Sequence, residues 1–115
     1  MTAYALASLR RPDTVHSDVY EYMERIQVTL DPFSGRFVAH GGEVEVLEGT
    51  WEGDVIIIEF PDMTEARAWY ASAAYREIMP LRAQHLVGEV ILVDGVEPDH
   101  DSARMARDLR ESVGG

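Results

Sequence analysis

Cysteine is absent from this 115-residue chain, and so is lysine. The first absence removes disulfides, thiolate nucleophiles and cysteine-based metal sites together, and it fits a cytoplasmic location. The second leaves ten scattered arginines against 21 acidic residues, for a net charge of −11. A surface that follows nucleic-acid phosphates needs clustered Lys and Arg, so no nucleic acid is expected as a partner. Long apolar runs are missing too. Nothing approaches the roughly 20 residues needed to cross a bilayer, and Met1-Thr2-Ala3-Tyr4 does not open a signal peptide, so no membrane partner is expected. There is no Gly-rich phosphate loop followed by a helix and no Gly-x-Ser-x-Gly elbow. The four histidines, His16, His40, His85 and His100, fall in separate elements without metal-ligand spacing, so no metal and no cofactor is expected.

What is present reads as one domain followed by a tail. Tyr4 to Leu9 is a short strand broken by Pro12. Val19, Tyr22, Met23, Ile26 and Leu30 then recur at helical spacing, with Asp18 and Glu21 placed as a capping box. Gly35 is placed as the stop of that helix. Arg36 to Leu47 reads as a second strand bent at Gly41-Gly42. Val55 to Phe60 is a nearly continuous apolar strand of the kind found at a sheet centre. Asp62 and Glu65 signal another helix start; Ala66, Trp69 and Ala73 line its face, and Ser72 is placed to cap a further segment holding Tyr75 and Ile78. Pro80 is expected to kink or divide that segment. Glu89 to Asp94 is the fourth strand.

The order β-α-β-β-α-β predicts an α+β ferredoxin-like plait: a four-stranded antiparallel sheet with two helices on one face. The other face needs a cover, and homodimerisation is the simplest one. Residues 1–96 make this domain. Residues 97–115 are an acidic tail in which Ser102 caps a short helix, read as an appendage that is partly disordered or docked on a partner subunit.

The run Gly35-Arg36-Phe37-Val38-Ala39-His40-Gly41-Gly42, followed by Val44-Glu45-Val46-Leu47-Glu48-Gly49, resembles the hallmark of the domain-of-unknown-function family numbered 1330, of the dimeric α/β-barrel superfamily. Ile58-Glu59-Phe60-Pro61, Ala68-Trp69-Tyr70-Ala71-Ser72, Tyr75, Leu81-Arg82 and Leu92-Val93-Asp94-Gly95 extend the resemblance over roughly residues 3–96. This chain departs from the usual pattern at Phe33-Ser34, and at His40, where Arg is common. The resemblance implies the plait, a dimer and a pocket between helices and sheet. Superfamily relatives include cofactor-independent monooxygenases, muconolactone-isomerase-like enzymes, haem proteins and plain ligand binders.

Strand alternation puts Arg36, Val38 and His40 on one face. One reading makes Arg36 an anion clamp and His40 a catalytic acid or base; the plainer one is a solvated strand face with Arg36 paired to a carboxylate. Trp69, Tyr70, Tyr75 and Tyr22 suit a flat organic ligand, or simply helix-to-sheet packing. Arg82 and His85, three apart, face one way on a helix and would gather positive charge for a small anion, or form a solvated last turn. Glu59, flanked by apolar residues, is a candidate perturbed acid, or the partner of an Arg. The expected activity is acid-base chemistry on an aromatic or enolisable small molecule by a cofactor-independent isomerase, cyclase or monooxygenase. The competing class is a non-catalytic ligand-binding or interaction protein.

Overall fold

A computed structural model describes residues 1–114. Strand β1 (Ala3–Arg10) lies in the middle of the sheet, and helix α1 (Ser17–Leu30) crosses from it to the edge strand β2 (Arg36–His40). Strand β3 (Asp54–Phe60) returns between β2 and β1; helices α2 (Met63–Ala71) and α3 (Ala73–Ala83) follow; β4 (Val87–Asp94) forms the other edge. The four strands run in the order β2-β3-β1-β4, and every pairing is antiparallel. This is the ferredoxin-like α+β plait, with an open sheet. A last helix, α4 (Ser102–Gly114), follows it, and none of its residues is buried.

Alternation on β1 sorts the faces. Ala3, Ala5 and Leu9 are buried toward the helices. Opposite them, Phe60 and Ile58 from β3 meet Ile26 and Leu30 from α1, Ala66 and Trp69 from α2, and Tyr75 and Ile78 from α3 in one core. The other face carries Leu6, Val55, Ile57, Ile91 and Val93, and no element of the chain covers it; Ile91 remains 55% exposed.

Several helix ends follow the expected chemistry. Asp62 accepts the Glu65 N–H at 2.8 Å to start α2, and the Ser72 hydroxyl accepts the Tyr75 N–H at 3.2 Å to start α3. Others differ. α1 begins at His16, whose Nδ1 accepts the Asp18 N–H at 3.0 Å; Asp18 turns instead toward His85 and is not the cap. Pro80 lies inside α3 without dividing it. Asp101, rather than Ser102, accepts the Ala103 N–H at the start of α4.

The second strand is shorter than the alternation suggests. Its ladder closes with the Gly41 N–H donating to the Val55 carbonyl at 3.0 Å, at a Gly41 φ of +69°, a conformation that suits glycine. Residues 41–52 are exposed, and although Glu43-Val44-Glu45-Val46 alternates like a strand, it pairs with no strand among the described residues. A second departure sits within β2. Phe37 pairs with Ile58, but Ala39 pairs with Ile57, so Val38 is an inserted residue. A one-residue slip reverses every side chain that follows.

Gly35 joins α1 to β2 through a close approach that only glycine permits. A Cβ there would stand 2.7 Å from the Phe60 ring and 2.8 Å from a Leu30 methyl, both fully buried. Gly35→Ala is therefore expected to cost about 1–3 kcal/mol, the usual scale of overpacking. Urea denaturation measures it, and an unchanged midpoint would show that the junction yields freely.

Candidate functional site

The helix layer does not close fully on the sheet. Between α1 and strands β1, β2 and β3 lies a cavity of about 300 Å³. Its floor is Ala5, Ala7, Ile56 and Ile58, and α1 contributes Val19, Tyr22 and Ile26. Trp69, Tyr75 and Arg82 complete the wall from α2 and α3, while Phe37, His40, Asp54 and Arg11 contribute from the sheet edge and the segment after β1. The lining is mostly apolar with a few polar groups, as in small-molecule sites.

Three of those polar groups form a cluster. The Tyr22 and Tyr75 hydroxyls lie 2.9 Å apart, and Arg82 Nη2 donates to the Tyr75 hydroxyl at 3.4 Å. The Arg82 guanidinium also stands 5.5 Å from the centre of the Tyr22 ring, within cation–π range. Arg82 is 8% exposed, yet it forms no ion pair with a carboxylate among the described residues. Burial works against its charge, but the Tyr75 and Tyr22 oxygens outweigh burial and hold it above its usual range. Tyr22 is pushed far up, chiefly by burial and then by Tyr75, with Arg82 opposing. Near neutral pH the cavity therefore presents the Arg82 cation beside a protonated Tyr22 hydroxyl.

Trp69 is 2% exposed and packs on Phe60 and Tyr75. Its indole N–H donates to the Thr29 hydroxyl at 3.0 Å, and that hydroxyl donates to the Ile26 carbonyl. It is both core and cavity wall. His40 is an exposed residue that reaches the lining and stacks on Phe37, with ring centres 4.1 Å apart; it occupies the rim.

The other residues expected at the site lie elsewhere, so the candidates are brought together only in part. The Val38 insertion separates Arg36 from His40. Arg36 pairs with Glu59 on the open face, with Nη2 3.1 Å from Oε1, which corrects the expectation of a shared face. Glu59 is thus the partner of an arginine. Tyr70 is outside the lining among the described residues; its hydroxyl contacts the Met79 sulfur at 3.6 Å and Arg76 lies over its ring. Arg82 and His85 both meet α1, Arg82 at the Tyr22 ring and His85 at Asp18, but His85 lies outside the cavity lining among the described residues.

His85 stacks on His16 with ring centres 3.8 Å apart and bonds Asp18 Oδ2 through Nε2 at 3.1 Å. His16, Asp18 and His85 bring possible ligand atoms within 4.8 Å of one another, a grouping that linear spacing does not reveal. The rings lie face to face and His16 Nδ1 is occupied as the α1 cap, so the two lone pairs do not converge as a tetrahedral ion requires. Thr29, Phe37, Arg11 and Asp54 are site residues that sequence reasoning missed. Thr29 alone carries a signal, as a hydroxyl on the apolar stripe of α1.

The family described as Domain of unknown function (DUF1330) matches residues 2–96, and the chain belongs to it. No curated protein matches the chain. Among solved structures, the chain is similar to RPA0582, a protein of unknown function from Rhodopseudomonas palustris, at 17% identity and a TM-score of 0.65, over 84% of each chain. It is also similar to a dimeric ferredoxin-like protein of unknown function from Thermobifida fusca, at 15% identity and a TM-score of 0.56, covering 83% of this chain and 92% of that one. A third, at 13% identity and a TM-score of 0.50, is SnoaB from Streptomyces nogalater, described as a cofactor-independent oxygenase, covering 87% and 96%. At these identities the likeness is one of fold.

The elevated Tyr22 group has a pH consequence. Its folded form keeps the proton while the unfolded phenol loses it above about pH 10. The unfolded state then binds fewer protons, so stability falls as pH rises past that value. Phenolate absorbance during an alkaline titration is expected to show a component that ionises only on unfolding, and Tyr22→Phe to reduce that component by one phenol. Full ionisation in the folded protein would contradict the burial.

Proposed function

We propose that this protein is a homodimer that binds an organic anion with an apolar, planar body, and that it acts on that molecule by cofactor-independent acid-base chemistry. The observation that carries the reading is Arg82. A buried charge without an opposite charge costs several kcal/mol, whereas a hydrogen bond to a charged group returns about 1.5–3 kcal/mol. The Tyr75 and Tyr22 oxygens keep Arg82 charged, but no carboxylate neutralises it among the described residues. A ligand carboxylate, enolate or phenolate would neutralise it, and the hydroxyl that accepts in the Tyr22–Tyr75 hydrogen bond keeps its own proton to donate to that anion. Trp69, Tyr75, Ile56 and Ile58 supply the apolar walls for the body.

His40 at the rim is the proposed proton carrier, an imidazole within reach of the lining. Substrates whose anion is stabilised by delocalisation, such as phenols and enolisable ketones, match a cation with hydroxyl donors at one wall and a histidine at another. A cofactor-independent oxygenase with a similar fold, SnoaB, is consistent with such chemistry. The competing reading is a binder without turnover, favoured by the stacking of His40 on Phe37, which restrains the ring.

The proposed dimer covers the open sheet face through Leu6, Val55, Ile57, Ile91 and Val93. The similar Thermobifida protein is described as dimeric, and a standard interface buries on the order of 1,600 Å².

Titration calorimetry with 2-naphthoate tests the anion site. Arg82→Met is expected to weaken binding by about 1.5–3 kcal/mol, while Arg36→Ala, on the other face, leaves it unchanged. Equal losses in both, or in neither, would remove the proposal. His40→Gln is expected to spare binding; turnover lost with it marks a catalyst, and the absence of turnover in every variant marks a binder.

A further inference from the structure

Ala7 stands apart from the other helix-facing residues of β1. Ala3, Ala5, Ala7 and Leu9 share that face by alternation, and β1 is an inner strand flanked by β3 and β4. Ala3, Ala5 and Leu9 are 0%, 4% and 9% exposed; Ala7 is only half-buried. Small residues on an inner strand ordinarily make room for large ones packed above them. That accounts for Ala3 and Ala5, which lie in the core with Phe60, Trp69 and Tyr75. It does not account for Ala7, which is outside that core and lines the cavity instead.

The sheet register shows how far the opening extends. Ala7 pairs with Val90 on β4 and with Ile56 on β3, and Ile56 pairs with His40 on β2. All four residues of this cross-strand row line the cavity, and none is fully buried. The row through Ala5 is closed, with Ala5 and its partner Ile58 each 4% exposed. Leu9 closes the other side. Ala5 and Leu9 stand about 13 Å apart along a strand, and the opening lies between them. The cavity of about 300 Å³ equals about ten waters in volume. One ring bearing an acid group leaves part of that space to water held against Ala7, Ile56 and Val90, whose side chains offer it no hydrogen bond. A second fused ring displaces that water and buries its own apolar surface.

We propose that Ala7 determines the size of the ligand. Its methyl group leaves a slot for a second fused ring, so the preferred ligand is an acid on a bicyclic aromatic frame, with the acid at Arg82 and the far ring over Ala7 and Ile56. A longer side chain at position 7 fills the slot from the sheet. It leaves Arg82, Tyr22 and Tyr75 in place, because they stand on the helices. The inference rests on the anion site proposed above.

Titration calorimetry with benzoate and 2-naphthoate, on the full chain and on Ala7→Leu, reads the slot. The unsubstituted protein is expected to bind 2-naphthoate about tenfold or more tightly than benzoate, from the added apolar area. Ala7→Leu is expected to keep its benzoate affinity within about twofold and to lose the preference for 2-naphthoate, and Ala7→Val to fall between. The urea midpoint of Ala7→Leu is expected to rise, since the new side chain fills open space. A midpoint that falls would show the space over Ala7 to be taken already and would overturn the slot. So would an unchanged preference in Ala7→Leu, or an equal loss of both acids in it. Benzoate binding that Arg82→Met abolishes, without a preference for 2-naphthoate in the unsubstituted protein, overturns the slot alone. Failure of both acids to bind the unsubstituted protein overturns the slot and the anion site together.

Discussion

The central strand presents alanines to its helices, and much of the molecule follows from that. Ala3 and Ala5 are buried beneath the helix layer and Ala7 continues the row. Small side chains on the middle strand leave a space that larger groups must fill. Trp69, Tyr75 and Phe60 fill one end with rings in mutual contact, and the remainder stays open as the cavity over Ala5 and Ala7. Filling with Trp and Tyr has a consequence that Leu or Ile would not have, because each ring carries a polar tip needing a partner. Thr29 answers the Trp69 indole, and Tyr22 with Arg82 answers Tyr75. The polar cluster at the cavity wall thus grows out of the packing problem, and no buried side-chain polar atom among the described residues is left without a partner.

Charge gives that cluster its meaning. The chain as a whole carries −11, and most of its ion pairs lie at the surface, as with Arg10–Glu89, Arg11–Asp54 and Arg25–Glu21. Exposed pairs of this kind contribute little to stability. Arg82 differs because it is buried with phenol hydroxyls and a ring face as its company. A carboxylate there would have neutralised it in the resting protein. Its absence keeps a positive wall in an acidic molecule, and so selects the charge of whatever enters.

The fold is legible in the sequence because its signals are local and periodic. The alternation of Tyr4 to Leu9, the isoleucines of β3, and the caps at Asp62 and Ser72 all depend on neighbours in sequence, and the family resemblance agrees with them. The site is legible only in its residue types. Tyr22 and Tyr75 are 53 residues apart, and nothing in their spacing announces a 2.9 Å contact. Strict alternation across Val38 makes Arg36 and His40 a pair; one inserted residue sends them to opposite faces. Helical spacing does turn Arg82 and His85 both toward α1, but one meets the Tyr22 ring in the cavity and the other Asp18, a helical turn away. The Glu43-Val44-Glu45-Val46 alternation reads as strand, yet among the described residues it joins neither free edge of the sheet, β2 or β4. That last difference is informative, since the same segment is the one whose apolar groups stand exposed.

The decisive question is whether the buried guanidinium has an anion to meet. Native mass spectrometry of the protein purified from its own source, with the ligand released and identified, answers it. One bound molecule per chain is expected, bearing a carboxylate, enolate or phenolate on an apolar frame, and absent from Arg82→Met. A bound molecule with no acidic group, or one retained unchanged by Arg82→Met, would show that Arg82 is not an anion site.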